Sequence, residues 1–346
     1  MALSDRFADA AVELAERGIV PDPAIRWGTR RLVAGRLAAE RDRDPTERAA
    51  FWAEAQEGPI ALVPDLANTQ HYEVPAAFFD LVLGPRRKYS SAWWPPGTDG
   101  LADAEEAMLA LTAERAGLAD GQAILDLGCG WGSFTLWAAE RFPDARVVGV
   151  SNSTGQRAHI LGSAAERGLA NVEVRTADIN DFDPGRRFDR IVSIEMLEHV
   201  RNHRRLFDRM RSWVVDDGSV FVHVFAHREF AYPFEVDGPG SWMARTFFSG
   251  GVMPSVQLIP EAAAPGFALA GDWWMDGMHY ARTLDAWLER LDEWRPEVRA
   301  VLAPTYGEDV DRWVQRWRMF FMACAALFAY DGGAEWGVAH HRLDPV

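Results

Sequence analysis

The sequence predicts an α/β chain built on a doubly wound seven-stranded sheet, with a helical N-terminal extension before it and a helical and loop cap after it. Three observations carry that prediction. A strand pattern from Ala123 to Leu127 runs into glycines at 128, 130 and 132 and then into a helix from Ser133 to Arg141. From there, short apolar runs alternate with helical periods as far as residue 224, the pattern of a parallel sheet covered on both faces. Between 226 and 259 the rhythm gives way to Gly, Pro, Phe and Trp without periodicity, and such a stretch inside a compact domain is usually functional or a lid.

The chain has 346 residues, which suits two domains or one elaborated domain, and its 48% hydrophobic and 25% charged residues are enough to bury a sizeable core. No apolar run reaches 18 residues and the N-terminus is charged and amphipathic, so neither a membrane span nor a signal peptide is expected. Only Cys129 and Cys324 are present, and Cys129 sits in the glycine turn, where a disulfide would distort the loop; a reducing, cytoplasmic setting is expected. The net charge of −15 opposes nucleic-acid binding and stable membrane association. The expected partner is a small molecule, and a homodimer is compatible with this composition. Fifteen Trp and nineteen Phe, dense after residue 230, allow an aromatic-walled pocket.

Ahead of the sheet, Phe7, Ala11 and Leu14 recur at helical spacing within Ser4 to Arg17, before the Pro21-Asp22-Pro23 break. Further helices are expected from about Ala24 to Glu40 and Pro45 to Gln56, then from about Ala76 to Leu83 and Leu101 to Ala116. The core strands are Ala123 to Leu127, Arg146 to Val150, Val172 to Thr176, Phe188 to Ile194 and Ser219 to Val224. The helices between them run to Phe142, from Thr154 to Arg167 and from His203 to Val214. After the irregular segment a strand is expected at Phe267 to Met275, helices at Leu284 to Leu302 and Glu308 to Phe328, and a last strand at Glu335 to His341.

In an open α/β sheet, ligands bind beyond the carboxyl ends of the strands. Those ends are the glycine loop, Ser151 to Gln156, Ala177-Asp178-Ile179 and Glu195 to His199. The glycines let a ligand approach the backbone, and the unpaired N–H groups of the next helix face the same spot, although a plain structural turn would use glycine too. The spacing D-x-G-x-G-x-G differs from the dinucleotide pattern G-x-G-x-x-G. It resembles the first motif of the class I S-adenosylmethionine-dependent methyltransferases, whose loop takes the methionine part of the cofactor. That resemblance makes Asp126, Gly128, Gly130 and Gly132 cofactor-binding residues. Many of those enzymes carry an acidic residue after the second strand; here Asn152 and Gln156 would meet the ribose with neutral groups. Asp178 would accept from the adenine amine and Ile179 would stack on the ring, Asp178 being otherwise a helix cap.

Glu195, Glu198 and His199 are the most informative cluster. On a helical turn Glu195 would share a face with both others; the alternative is an exposed, solvated turn. Methyl transfer needs an in-line nucleophile with a free lone pair. An aliphatic amine of pKa ~10.4 is protonated at neutrality, and removing that proton costs roughly 4 to 5 kcal/mol at ~1.36 kcal/mol per unit. Carboxylates would draw the ammonium in and a histidine of pKa ~6.5 could take its proton. Glu198 is thereby assigned to binding and His199 to the base.

With these residues in place the chain resembles, nearly end to end, the coclaurine N-methyltransferase family, a branch of the larger group that includes the cyclopropane fatty acid synthases. The likeness is carried by Tyr72-Glu73-Val74-Pro75, Lys88-Tyr89-Ser90, the glycine loop, Ser151-Asn152-Ser153 with Gln156, and Glu195 through His199. It continues through His227, Phe230-Ala231-Tyr232, Trp242, Met253-Pro254-Ser255, Gly277 to Thr283, Trp317-Arg318, Phe328, Tyr330 and Gly333 to Trp336. The resemblance implies a Rossmann-like class I methyltransferase fold, S-adenosyl-L-methionine as donor with S-adenosyl-L-homocysteine as product, and a small aromatic or cyclic amine of tetrahydroisoquinoline type as substrate. It implies that Tyr89 and Ser90 close on the cofactor's amino-acid end, that Tyr72 and Glu73 face the substrate, and that Glu195, Glu198 and His199 orient and deprotonate the amine. His227, Tyr232, Tyr330 and Trp336 would be pocket walls or packing residues. No metal enters the scheme. The implied division is 1–85, helical extension and substrate lid; 86–225, cofactor-binding core; and 226–346, cap insertion with the last two core strands and helices.

Cyclopropane synthases methylate an alkene through a carbocation and rely on a bicarbonate held partly by a cysteine after the Tyr-Ser pair and by a tyrosine in a late helix. Those positions read here as Ser91 and as Met319 or Phe320, and Glu195 stands where the synthases have glycine, while Glu198 and His223 are shared in type. Methyl transfer to an unsaturated acyl chain is therefore the alternative function, and a cofactor-binding protein without transfer a third.

Overall fold

The computed structural model describes residues 3–62, 74–236 and 241–346, with side chains in the first helix from residue 10 onward. The extension consists of α1 (Leu3–Glu16), α2 (Asp22–Asp42) and α3 (Pro45–Ala55), followed by α4 (Ala76–Val82) and α5 (Leu101–Ala116). The core alternates β1 (Ala123–Leu127), α6 (Ser133–Arg141), β2 (Arg146–Ser151), α7 (Thr154–Glu166), β3 (Val172–Thr176), β4 (Phe188–Ile194), α8 (His203–Trp213) and β5 (Val214–His227). Beyond it lie β6 (Tyr232–Pro233), α9 (Trp242–Thr246), β7 (Val252–Met253), α10 (Leu258–Ala263) and β8 (Phe267–Asp276). Helices α11 (Gly277–Glu293), α12 (Arg295–Tyr306) and α13 (Val310–Phe328) and the strand β9 (Trp336–Pro345) complete the chain.

Among the described residues, one seven-stranded sheet has the order β3-β2-β1-β4-β5-β9-β8. Strands β1 to β5 pair in parallel, and β9 runs antiparallel to both β5 and β8. The sheet is therefore mixed, because the last strand of the chain inserts between two earlier ones in the opposite sense. Alternate side chains of the strands serve two faces. Ile124, Val147 and Phe221 pack under Leu109, Phe134 and Trp137 on one side. Leu125, Leu127 and Val148 pack against Leu206, Phe207 and Met210 on the other. Each such fully buried aliphatic contributes about 1.5–3 kcal/mol, which fixes β1 and β4 at the centre and opens a crevice where the strand order reverses between them.

The extension packs on the late helices. Glu16 of α1 accepts from Arg312 and Arg316 of α13 and from the Trp242 indole. Arg318 of α13 donates to Asp22 at the head of α2 and to Asp292 of α11. Val33 and Leu37 join the apolar cluster of Trp317 and Phe321.

Several expected bounds change: β5 runs from Val214 to His227 and the last strand continues to Pro345. The single helix expected from 284 to 302 is two helices, α11 and α12: Asp276 caps the first by accepting from the Met278 N–H at 2.9 Å, and the second restarts with Pro296 in its first turn. A proline there has no N–H to continue the earlier helix, yet suits a helix start. The aperiodic 226–259 stretch holds the short β6–β7 ladder, α9 and the start of α10. No helix among the described residues is long and apolar enough to cross a membrane.

Candidate active site

Two adjoining cavities, one larger than the other, open at the carboxyl ends of the strands and share Gly128, Gly130 and Glu195. The larger is lined by Ser151, Asn152, Gln156 and Ile179, and on its far side by Met196, His199, Gly250 and Gly251. The smaller is lined by Tyr89, Ser90, Asp126, Trp131 and Ser133. Of the residues expected at the cofactor, all but Gly132 and Asp178 lie on one cavity or the other.

Each loop glycine has its own reason. Gly130 adopts φ +50, and a Cβ there would meet no protein atom within 4 Å because it would project into the cavities. At Gly132 (φ +82) a Cβ would lie 2.6 Å from Ile160 Cγ1, so this glycine serves the packing of α6 against α7. Asp126 is fully buried and accepts from Thr135 Oγ1 at 2.6 Å; burial pushes its carboxyl up to about 7. Asp178 Oδ1 accepts from the Asn180 N–H at 2.8 Å, closing a turn. Asn180 in turn holds both backbone polar groups of Ala61, which carries the end of the extension to the cavity rim.

Whether these residues fit S-adenosylmethionine is tested by the polar atoms the protein leaves over. Gln156 Oε1 accepts from the Ser151 hydroxyl at 2.5 Å, which orients the amide and leaves its buried Nε2 without a protein acceptor at the cavity wall. Ser133 Oγ is likewise buried and unpartnered beside the smaller cavity. Buried donors are rarely left unpaired, and two of them facing the space that Gly130 keeps clear fit a ligand bearing hydroxyl and carboxylate oxygens.

The acidic turn departs from the helical geometry expected of it. Glu195 follows β4 with a left-handed backbone, φ +47, and only Leu197–His199 forms a single 3-10 turn. A non-glycine residue pays roughly 1–2 kcal/mol for that conformation, and its carboxylate is held by three donors. Oε1 accepts from the Ser91 N–H at 2.8 Å and from His223 Nε2 at 3.1 Å, and Oε2 accepts from the Tyr280 hydroxyl at 2.6 Å. Glu198 is fully buried; its Oε1 accepts from the Phe225 N–H at 2.8 Å and its Oε2 has no protein partner. Burial, with the Glu195 charge adding to it, raises the Glu198 carboxyl well above the usual range. Burial also raises Glu195, opposed by Lys88, the Ser91 N–H and Tyr280. Two buried carboxylates in reach of each other resist ionising together.

His199 stacks on Phe248 at 4.7 Å between centroids. Burial lowers its pKa to about 4 against the upward pull of Glu195, so the ring is neutral at neutral pH. Lys88 is fully buried beneath the turn, donating to Ser90 Oγ at 2.6 Å and to the Ser91 carbonyl at 2.7 Å; burial lowers it to about 8. From His199 an aromatic wall continues through Phe248, Phe225, Phe328 and Tyr280, with centroids 5.7, 6.1 and 4.4 Å apart in succession.

The remaining expected substrate residues gather elsewhere. Trp336 Nε1 donates to the Tyr232 hydroxyl at 3.0 Å, and its ring meets His227 and Tyr330 edge-on. His227 Nδ1 accepts from the N–H groups of Glu229 and Phe230. None of these four lines either cavity. Tyr72 and Glu73 lie outside the described residues. Conversely, Tyr280 of α11, to which the sequence pattern assigned no role, brings its hydroxyl to the acidic turn. Phe248, Gly250 and Gly251 were likewise assigned none; the Phe-Ser-Gly-Gly run within the aperiodic segment was their only signal.

Comparison with known proteins places this geometry. Residues 64–333 match the family model described as mycolic acid cyclopropane synthetase. The chain is 31% identical to (S)-coclaurine N-methyltransferase of Thalictrum flavum subsp. glaucum over 337 residues, 94% of this chain and 92% of that one. It superposes on the crystal structure of coclaurine N-methyltransferase bound to N-methylheliamine and S-adenosylhomocysteine with a TM-score of 0.92 and 31% identity, covering 97% of this chain and 99% of that one. The cyclopropane synthase MmaA2 of Mycobacterium tuberculosis gives a TM-score of 0.69 at 29% identity, over 81% and 98% of the two chains. The cavities under the glycine loop are thus those of an S-adenosylmethionine-dependent methyltransferase, and the chain belongs to the mycolic acid cyclopropane synthetase family, in its coclaurine N-methyltransferase-like branch.

Proposed function

We propose that this chain methylates the nitrogen of a small aromatic or cyclic amine of tetrahydroisoquinoline type. One observation carries the reading: Glu195 and His199 line the same cavity as Gly128 and Gly130, which puts a carboxylate and a neutral imidazole beside the place reserved for the cofactor. The names of the relatives support it, and so does the N-methylheliamine held by the solved one.

Asn152, Gln156 and Ile179 would hold the nucleoside end of S-adenosylmethionine, and Tyr89, Ser90 and Ser133 its amino-acid end. When bound, the cofactor supplies an electrophilic methyl group on a sulfonium. The protein's task is to present a nitrogen with a free lone pair. Glu198 and Glu195 attract the ammonium form of the amine, and its charge lets both carboxylates ionise. Phe225, Phe248 and Phe328 flank the turn with apolar and π surface suited to a ring-bearing cation. His199 is neutral and is the group placed to accept a proton from the ammonium, with the Glu195 charge partly offsetting the burial that lowers the ring to about 4. Stacking on Phe248 fixes the ring plane for it.

The test is turnover of tetrahydroisoquinolines and benzylamines set beside unsaturated phospholipid vesicles with added bicarbonate. Methylated amine supports the reading; methylated or cyclopropanated lipid with no methylated amine replaces it with the acyl-chain alternative.

A further inference from the structure

Behind the acidic turn lie three side chains with no role in the scheme above: His223 on β5, His340 on β9 and Arg115 at the end of α5. His223 and His340 are direct cross-strand partners, and both are fully buried. The half-buried Arg115 guanidinium lies 4.9 Å over the Trp273 ring, with Nη1 2.7 Å from His340 Nδ1. His340 Nε2 is 2.9 Å from His223 Nδ1, and His223 Nε2 is 3.1 Å from Glu195 Oε1.

The chemistry of the first member sets the direction of the rest. Arginine donates and cannot accept, so His340 Nδ1 is an acceptor and a neutral His340 carries its hydrogen on Nε2. That hydrogen points at His223 Nδ1, which makes His223 the Nε2–H tautomer as well. The chain ends in an N–H aimed at Glu195. Burial holds both imidazoles well below their usual pKa, so neither ring gains the second proton that would scramble the order.

We propose that Arg115, His340 and His223 are positioning residues, a one-way hydrogen-bond chain that fixes Glu195 as an oriented carboxylate and leaves Glu198 as the group that ionises when a cation enters. The asymmetry of the two glutamates supports this division: three donors converge on Glu195, whereas Glu198 has one and an unpartnered oxygen. Donors to the charged form favour ionisation. The other groups facing Glu195 are Lys88 from the segment before α5, Glu198 and His199 on its own turn, Tyr280 from α11 and Cys324 from α13. His340 is also faced by His341 and Lys88. Because the arginine end accepts no proton, the chain is a fixed polariser and not an exit route for the proton taken by His199.

The inference rests on the amine reading for its kinetic arm alone. Nitrogen-15 NMR of histidine-labelled wild-type protein should find both rings protonated at Nε2 and bare at Nδ1; either ring protonated at Nδ1 overturns the proposal, whether or not any amine is methylated. In the kinetic arm, Arg115→Met keeps the aliphatic stem and removes the donor. Glu195 then ionises less readily, so the acid limb of kcat should move upward by about one pH unit. Turnover on that limb should fall about tenfold, with KM for S-adenosylmethionine unchanged. Arg115→Lys, still donor-only, and His340→Gln, which accepts at oxygen and donates at nitrogen, should restore the wild-type limb. An acid limb left in place by Arg115→Met, or moved equally by the conservative variants, overturns the chain.

Discussion

Glu198→Gln separates stability from function at one buried atom. In the wild-type protein, burial raises the folded-state pKa of Glu198 above its unfolded value. The folded state therefore holds a proton that the unfolded chain releases once the pH passes ~4.3, and stability contributed by this group is lost as the pH rises towards the folded value. Glutamine keeps an oxygen for the Phe225 N–H and removes the ionisable group. The penalty relieved is that of a buried, incompletely partnered acid, about 1–3 kcal/mol, so the variant should melt a few degrees higher at pH 8. The gain should vanish near pH 4, where the wild-type carboxyl is protonated in both states. Binding should change in the opposite sense. A hydrogen-bonded charge contact contributes about 1.5–3 kcal/mol, so the amine should bind about 10 to 150-fold more weakly at ~1.4 kcal/mol per decade. Differential scanning fluorimetry at the two pH values and calorimetric titration of a tetrahydroisoquinoline into the S-adenosylhomocysteine complex measure both. A variant less stable at pH 8 with amine affinity unchanged would refute the reasoning.

Other consequences follow from the same geometry. Gly130→Val should abolish S-adenosylhomocysteine binding in calorimetry, because its side chain would occupy the space that the loop keeps clear; retained affinity would contradict the cofactor assignment. His199→Ala should lower amine turnover by roughly 10² to 10⁴ with cofactor affinity kept, and an equal loss of both would mark His199 as structural. His199, His203, His227 and His341 are each lowered to about 4 by burial. For these rings the unfolded chain binds more protons than the folded one between ~6.5 and about 4, so their contribution to stability falls as the pH drops through that window, against the opposite contribution of the raised Asp126 and Glu198 carboxyls. Histidine NMR titration should find all four rings neutral at pH 6; a ring charged there would count against its burial.

What the sequence disclosed follows from what local pattern encodes. Strands β1, β3 and β4 agree to the residue with the expected bounds, because apolar runs bounded by turn residues admit one reading. The glycine loop was legible for the same reason: Gly130 has to keep clear space, and its spacing records that. The direction of β9 was not, since an apolar strand carries no mark of its sense. The break at Trp294 was hidden because Pro296 falls in the first turn of α12, where proline is tolerated and the apolar period resumes. At the site, Glu195, Glu198 and His199 were legible as neighbours in sequence, yet the helical reason given for their proximity was not the structural one: a left-handed Glu195 turns the chain. Tyr280 and His340 lay beyond reach because each meets the site across the fold, Tyr280 from 85 residues along the chain. Trp336 and Tyr232 read as pocket walls because aromatic composition alone does not separate a wall from a core, and here the Trp336 N–H is satisfied by the Tyr232 hydroxyl inside the core.

The central claim is that a nitrogen nucleophile is held by the turn at 195–199 beside a methyl donor on the loop at 128–132. Its most direct test supplies S-adenosylmethionine carrying a trideuterated methyl group together with a tetrahydroisoquinoline and unsaturated phospholipid vesicles, and locates the label by mass spectrometry and NMR. Deuterated methyl on the amine nitrogen, lost in His199→Ala, is the predicted result; label on an acyl-chain carbon with the amine unmodified would contradict it.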